Sequence, residues 1–208
     1  MRRDNTGMVK NFLIVGGMGS GKDTFATFLP PGYIHKSFAE SLKNVVKLLR
    51  IQDIDKAFLI MNELFDNKSP CNMYAKLVEM SQYPVTDEKD RGLLQYLGTD
   101  WARKWDKNVW VRGLQNKIKP NNLYVVTDCR FMNEFKAFPD WYSVYIDCPD
   151  DIRKERLLKR DGSFNEELLH HSSEQEIKSI GRKCDFTIDN SGDLEAYGKI
   201  VKAIVEVS

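Results

Sequence analysis

The chain has 208 residues, a formal net charge of +1 and a hydrophobic share of 42%. That length suits one α/β domain with an insertion and is enough to bury a core. Positive and negative charges are balanced and no charged tail is present, which excludes the basic stripe of a duplex-binding surface but allows a small polyanion, for which a few local cations suffice.

The first clear element is the apolar run 11–17, NFLIVGG, which reads as a buried parallel strand ending in glycines. The stretch KDTFATFL follows as a helix stopped by Pro30 and Pro31. A second strand is expected over 33–38. The helix AESLKNVVKLLR after it would place Leu42, Val45, Val46 and Leu49 on one face. Between 51 and 90 the periodicity weakens around Pro70 and Pro84 and the charged run from Asp87 to Arg91, as expected of an inserted helical region. One or two further helices are expected over 92–118, then core strands at 123–131, 141–147 and 185–190. A closing helix would turn Leu194, Tyr197, Val201 and Ile204 inward. Alternating strands and helices predict a parallel sheet with helices on both faces and the first strand near the centre.

Four cysteines, Cys71, Cys129, Cys148 and Cys184, show no C-x-x-C pairing and no histidine at metal spacing, as expected of reduced thiols in a soluble cytoplasmic protein. The run Phe12 to Val15 is too short for a signal peptide or a bilayer span. Neither a membrane partner nor a stable nucleic-acid partner is expected.

The chemistry concentrates in Gly16-Gly17-Met18-Gly19-Ser20-Gly21-Lys22-Asp23-Thr24. Gly16, Gly21 and Lys22 have phosphate-loop spacing. Glycines let backbone N–H groups turn around phosphate oxygens, and Lys22 can reach the β- and γ-phosphates of a nucleotide. Asp23 stands where a serine or threonine usually holds magnesium. Either its carboxylate or the Thr24 hydroxyl can serve as the oxygen ligand, and Asp23 also suits a first helical turn. A second site is VVTDCRF, in which Asp128 ends a strand as a further candidate magnesium group and Arg130 offers a planar fork for a phosphoryl oxygen pair. A third is the stripe Arg153, Arg156 and Arg160 on one helix, a candidate lid over the phosphates or an ordinary solvated face.

Trp101, Trp105 and Trp110 are expected in the core. The GTD triplet at 98–100 can also read as a helix stop and cap. HHSSEQE holds a capping-box spacing at Ser173 and Glu176, with its histidines expected at the surface.

With these blocks in view, the chain resembles the bacteriophage-type deoxynucleoside monophosphate kinases of the phosphate-loop nucleoside monophosphate kinase group. The blocks are GGMGSGKDT, FAESLK, LLQYLGTDWARKWDKNVWV, VVTDCRFMNE, HHSSE and DFTIDNSGDLEA, and they are spread along nearly the whole chain, with the 51–90 region least covered. A GKDT ending is usual in that group. Here the loop carries no basic residue before Lys22, which places more demand on arginines elsewhere.

The resemblance implies a P-loop αβα sandwich with a helical acceptor-binding insertion at 51–118 and a lid-like region at 150–181. It implies ATP and magnesium as cofactors, a deoxynucleoside monophosphate as partner, and a monomer or homodimer. Gly16, Gly17, Gly19, Ser20, Gly21, Lys22, Asp23 and Thr24 would hold ATP, together with Arg156, Asn190 and Gly192. Lys43, Gln95, Asp100, Arg103 and Arg130 would hold the acceptor. Lys22, Asp128, Arg130 and Arg160 would serve the transfer itself, with Asp23, Thr24 and Asp128 toward the metal. A dephospho-CoA or phosphomevalonate kinase, a nucleotide-hydrolysing switch and a non-catalytic nucleotide-binding module are the alternatives.

Overall fold

The structure is a computed structural model and describes residues 10–85, 90–162 and 172–208, the side chains of 172–175 excepted. Five strands form one parallel sheet: β1 (Phe12–Gly16), β2 (Tyr33–Lys36), β3 (Leu123–Cys129), β4 (Tyr142–Asp147) and β5 (Phe186–Asp189). Their order is β2-β3-β1-β4-β5, so β1 is central as expected. Every residue of β1 is buried, which is why its sequence is continuously apolar rather than alternating.

The chain divides into two compact units, 1–37 with 119–208, and 38–118. The first holds the sheet. On one face, α1 (Lys22–Thr27) and α11 (Leu194–Val207) pack Phe25, Tyr197, Val201 and Ile204 against Phe12, Ile14, Val144 and Ile146. Tyr145, between Val144 and Ile146, must therefore point to the opposite face. There α10 (Ser172–Gly181) covers β1 and β4, and a Cβ on Gly181 would lie 2.8 Å from the Tyr145 ring. Helices α8 (Met132–Lys136) and α9 (Asp150–Asp161) follow β3 and β4. This is the predicted three-layer αβα sandwich.

The second unit is helical: α2 (Ala39–Arg50), α3 (Ile54–Leu64), α4 (Met73–Ser81), α5 (Arg91–Gln95), α6 (Ala102–Trp105) and α7 (Val109–Gln115). It spans 38–118 and begins with α2, whose apolar face packs on α3, α4 and α7. Its core holds Leu42, Val45, Leu49, Met61, Leu77 and Trp110. The GTD triplet does not stop a helix. It lies in a π-helical segment, Tyr96–Trp101, that joins α5 to α6 without a break. Trp110 Nε1 donates to the Gly98 carbonyl at 2.8 Å, and a Cβ on Gly98 would come within 2.6 Å of Leu42 Cδ2. A side chain at this position would have to displace the Leu42 methyl group.

Trp101 and Trp110 are in the core as expected. Trp105 is not, being 59% exposed at the helix end. Leu194 also departs from expectation: it is the first residue of α11 and is 63% exposed. The histidines of HHSSE and the Ser173 side chain lie outside the described residues, while the Glu176 carboxylate accepts the Met132 N–H at 2.9 Å. Among the described residues no helix is long and apolar enough to cross a membrane, and all four cysteines are free thiols.

Candidate functional site

The loop between β1 and α1 is built on two glycines that no other residue replaces without strain. Gly19 has φ +78° and Gly21 φ +100°, both in the left-handed region. A Cβ on Gly19 would lie 3.0 Å from the Arg153 carbonyl oxygen and from Leu157 Cγ, and one on Gly21 would collide with the Asn190 amide. The loop is therefore pressed against α9 on one side and the end of β5 on the other.

Its carbonyls are held by side chains from distant parts of the chain. Arg153 Nε donates to the Met18 carbonyl at 2.8 Å, Asn190 Nδ2 to that of Ser20 at 2.8 Å, and the Tyr197 hydroxyl to that of Gly21 at 3.1 Å. Lys22, nearly buried, donates from Nζ to the Gly17 carbonyl at 2.6 Å. Burial pushes the Tyr197 phenol well above its ordinary value, so the group remains a donor. Ser20 Oγ is the one fully buried side-chain polar atom among the described residues without a protein partner. An unmet hydroxyl inside the loop fits a phosphate oxygen, since an unpaired buried donor is otherwise costly.

Beside the loop opens a cavity of about 440 Å³, whose walls include Lys22, Thr24, Arg156, Arg160, Asn190 and Tyr197. Gly19, Gly21, Asp23, Leu157 and Leu194 complete it. Most of the residues expected at ATP thus meet in one place. Gly17 and Ser20 border a smaller cavity of about 190 Å³ at the end of β4. Gly192 is exposed with open space around it and does not line either cavity.

The three arginines of α9 have different surroundings. Arg153 is buried and also donates to Asp150 at 2.8 Å, so it is a fixture behind the loop rather than part of a solvated face. Arg156 donates to the Asn190 carbonyl at 3.1 Å and to Cys148 Sγ at 3.4 Å. Arg160 makes two bonds to its neighbour Asp161, at 2.7 and 3.0 Å, and this carboxylate, with lesser help from Asp23, raises the guanidinium above its ordinary value.

On the β3 side, Asp23 Oδ1 accepts the Thr127 hydroxyl at 2.7 Å, and Thr127 Oγ1 is 2.8 Å from His35 Nε2. Asp128 Oδ2 accepts from Ser37 at 2.6 Å. Glu134 is buried and accepts the N–H groups of Arg130 and Phe131 at 2.9 and 3.1 Å, fixing the turn that presents the half-buried Arg130. Asp23 and Thr24 line the cavity beside the loop and Asp128 does not; all three carry oxygen donors of the kind magnesium takes, and among the described residues no three His, Cys, Asp or Glu side chains gather as a metal cluster. In the helical unit Lys43, Gln95 and Asp100 are exposed and Arg103 is half-buried. Asp106 accepts from Arg112 and, at 2.7 Å, from the Asn108 N–H, so this part of the LLQYLGTDWARKWDKNVWV block builds the unit's own frame.

Tyr197, Thr127 and Ser37 were not predicted as parts of this site, and Arg153 was expected in the arginine stripe over the phosphates rather than behind the loop. Tyr197 and Arg153 are each more than a hundred residues from the carbonyl they hold. A helix-face tyrosine or arginine carries no local signal of such a role.

A family model described as an AAA domain, AAA_18, matches residues 13–178. The chain belongs to that family. A protein of Acanthamoeba polyphaga mimivirus named "Putative deoxynucleotide monophosphate kinase" is 28% identical over 219 aligned residues, spanning 94% of this chain and 96% of its own. A dephospho-CoA kinase of Sulfurimonas denitrificans is 30% identical over 96 residues, 44% of this chain and 48% of its own. The crystal structure of TT1252 from Thermus thermophilus shares the fold with a TM-score of 0.51 at 18% identity, covering 96% of this chain and 98% of that one. This member of the AAA-domain family therefore carries a phosphate loop on an αβα sandwich, and the curated relatives it resembles are kinases.

Proposed function

We propose that this protein transfers the γ-phosphoryl group of ATP to the phosphate of a deoxynucleoside monophosphate, giving a diphosphate. The observation that carries the reading is the cavity of about 440 Å³ that joins the phosphate loop to Lys22, Arg156 and Arg160. The likeness to the mimivirus kinase, which spans 94% of this chain, supports the acceptor class.

The loop N–H groups, Ser20 and Lys22 receive the ATP phosphates. Arg156, Asn190 and Leu194 border the base side of the cavity. The attacking oxygen belongs to a phosphate already ionised at neutral pH, so no strong general base is required. The residues act by alignment and charge neutralisation. Arg130 holds the acceptor phosphate. Arg160 leaves Asp161 to meet the transferring group. Magnesium, held by Asp23, Thr24 and Asp128, would neutralise charge on the β- and γ-phosphates when bound. The setting is cytoplasmic, and the partner is the small-molecule acceptor.

A second reading, a dephospho-CoA acceptor, is favoured by the partial likeness to the Sulfurimonas denitrificans enzyme. An acceptor panel read by nucleotide chromatography separates the two. It would contain dGMP, dTMP, dCMP, dAMP, their ribose counterparts and dephospho-CoA, with ATP and magnesium. A diphosphate from one or more deoxynucleotides is expected. Product from dephospho-CoA alone would replace the acceptor, and product from none, with ATP still bound, would leave a nucleotide-binding module.

A further inference from the structure

The loop carbonyls of Met18, Ser20 and Gly21 are each held by a donor from a different element: Arg153 of α9, Asn190 after β5 and Tyr197 of α11. In a trans peptide the C=O and the following N–H point in opposite directions. Fixing these three carbonyls therefore fixes the orientation of the N–H groups of Gly19, Gly21 and Lys22, and the Gly21 carbonyl also accepts the Phe25 N–H at 3.1 Å. Arg156 adds a support to the arrangement by donating to the Asn190 carbonyl at 3.1 Å.

We infer that Arg153 and Tyr197 are positioning residues for nucleotide binding: with Asn190 they form a collar that keeps the loop in its anion-receiving shape before the triphosphate arrives. The inference rests on the proposed ATP site and adds two residues that act through the loop. Three features carry it. Each donor is buried: Arg153 is 6% exposed, Asn190 5% and Tyr197 2%. The loop they brace passes through left-handed conformations at Gly19 and Gly21, which leave it free to adopt other shapes without a brace. The buried Ser20 hydroxyl inside the loop has no protein partner, so the braced shape holds a donor in wait. Pre-organisation of this kind saves the ordering cost at the moment of binding.

The collar makes a demand that ordinary packing does not. Loosening it must weaken binding of the phosphates more than binding of the nucleoside. The full-length protein, as wild type, Tyr197→Phe and Arg153→Gln, would be titrated calorimetrically with sodium tripolyphosphate, adenosine and ATP, with Tm measured in parallel. Tyr197→Phe removes one hydroxyl and keeps the ring. A loss of about 3- to 10-fold in tripolyphosphate affinity, the scale of one net hydrogen bond, with unchanged adenosine affinity, is expected. Equal tripolyphosphate affinity in wild type and Tyr197→Phe would overturn the collar while leaving the ATP site in place. Equal losses for tripolyphosphate and adenosine would overturn it too, because that is the mark of a general structural role. A wild type that binds neither tripolyphosphate nor ATP would remove the proposed function, and the collar with it. If Arg153→Gln fails to fold, Tyr197→Phe alone decides.

Discussion

The Thr127 hydroxyl lies 2.7 Å from Asp23 Oδ1, which ties the last turn of β3 to the first turn of α1 across 104 residues of sequence. A threonine hydroxyl has one proton and a carboxylate only accepts, so that proton goes to Asp23. The contact with His35 at 2.8 Å is then a donation from its Nε2–H to Thr127. The Thr127 bond thus orients one Asp23 oxygen. Thr127→Val should keep the fold and raise the magnesium concentration for half-maximal activity by about 3- to 10-fold, from the loss of one hydrogen bond to a charged group. Thr127→Ser should restore it. A magnesium titration of turnover checks both, and an unchanged requirement in the valine variant would dismiss this role.

Lys22 reaches the Gly17 carbonyl at 2.6 Å and lines the main cavity. Lys22→Ala should lower turnover on the order of 100-fold or more, as loss of a preorganised group facing developing charge does, with an unchanged far-UV spectrum. Near-normal activity would show that the phosphates lie elsewhere.

Two glycines give a paired test of the loop. Gly21 has φ +100° and meets Asn190, whereas Gly192 has open space around it and no left-handed backbone. Gly21→Ala should cost about 1–3 kcal/mol of stability and abolish most tripolyphosphate affinity, since the Asn190 bond to Ser20 must give way. Gly192→Ala should stay within about 0.5 kcal/mol of wild type. Denaturant melts of the two variants decide it, and similar costs at both positions would refute the loop geometry.

Stability should fall at alkaline pH. Burial pushes the Cys129 thiol well above its ordinary value and raises Cys148 as well. The unfolded chain loses these protons above about pH 8.5 while the folded chain keeps them, so unfolding releases protons and becomes easier as pH rises. The contribution is fully present below the unfolded thiol value and is lost as pH climbs toward the folded one. Urea melts from pH 7 to 10 should show the decline, reduced in Cys129→Ala. A thiol reagent on the native protein should reach the exposed Cys71 before the buried Cys129 and Cys148.

Much of the sheet unit was legible in the sequence because its signals are local. A continuous apolar run ending in glycines makes β1, and the Gly16 to Lys22 spacing makes the loop, whatever surrounds them. The same is true of the apolar face of α2, where Val45 and Leu49 are fully buried. The helical unit was legible only in outline. The π-helical segment at Gly98 depends on the approach of Leu42 and Trp110, and the exposure of Trp105 depends on where its helix ends.

Local pattern therefore determined the strands and the phosphate loop, because backbone conformation and strand burial follow from neighbouring residues. Tertiary structure decided how the loop is held. Arg153, Asn190, Tyr197 and Thr127 come to it from 104 to 176 residues away, and a hydrogen bond between groups so far apart in the chain is fixed by packing, which leaves no periodicity to read.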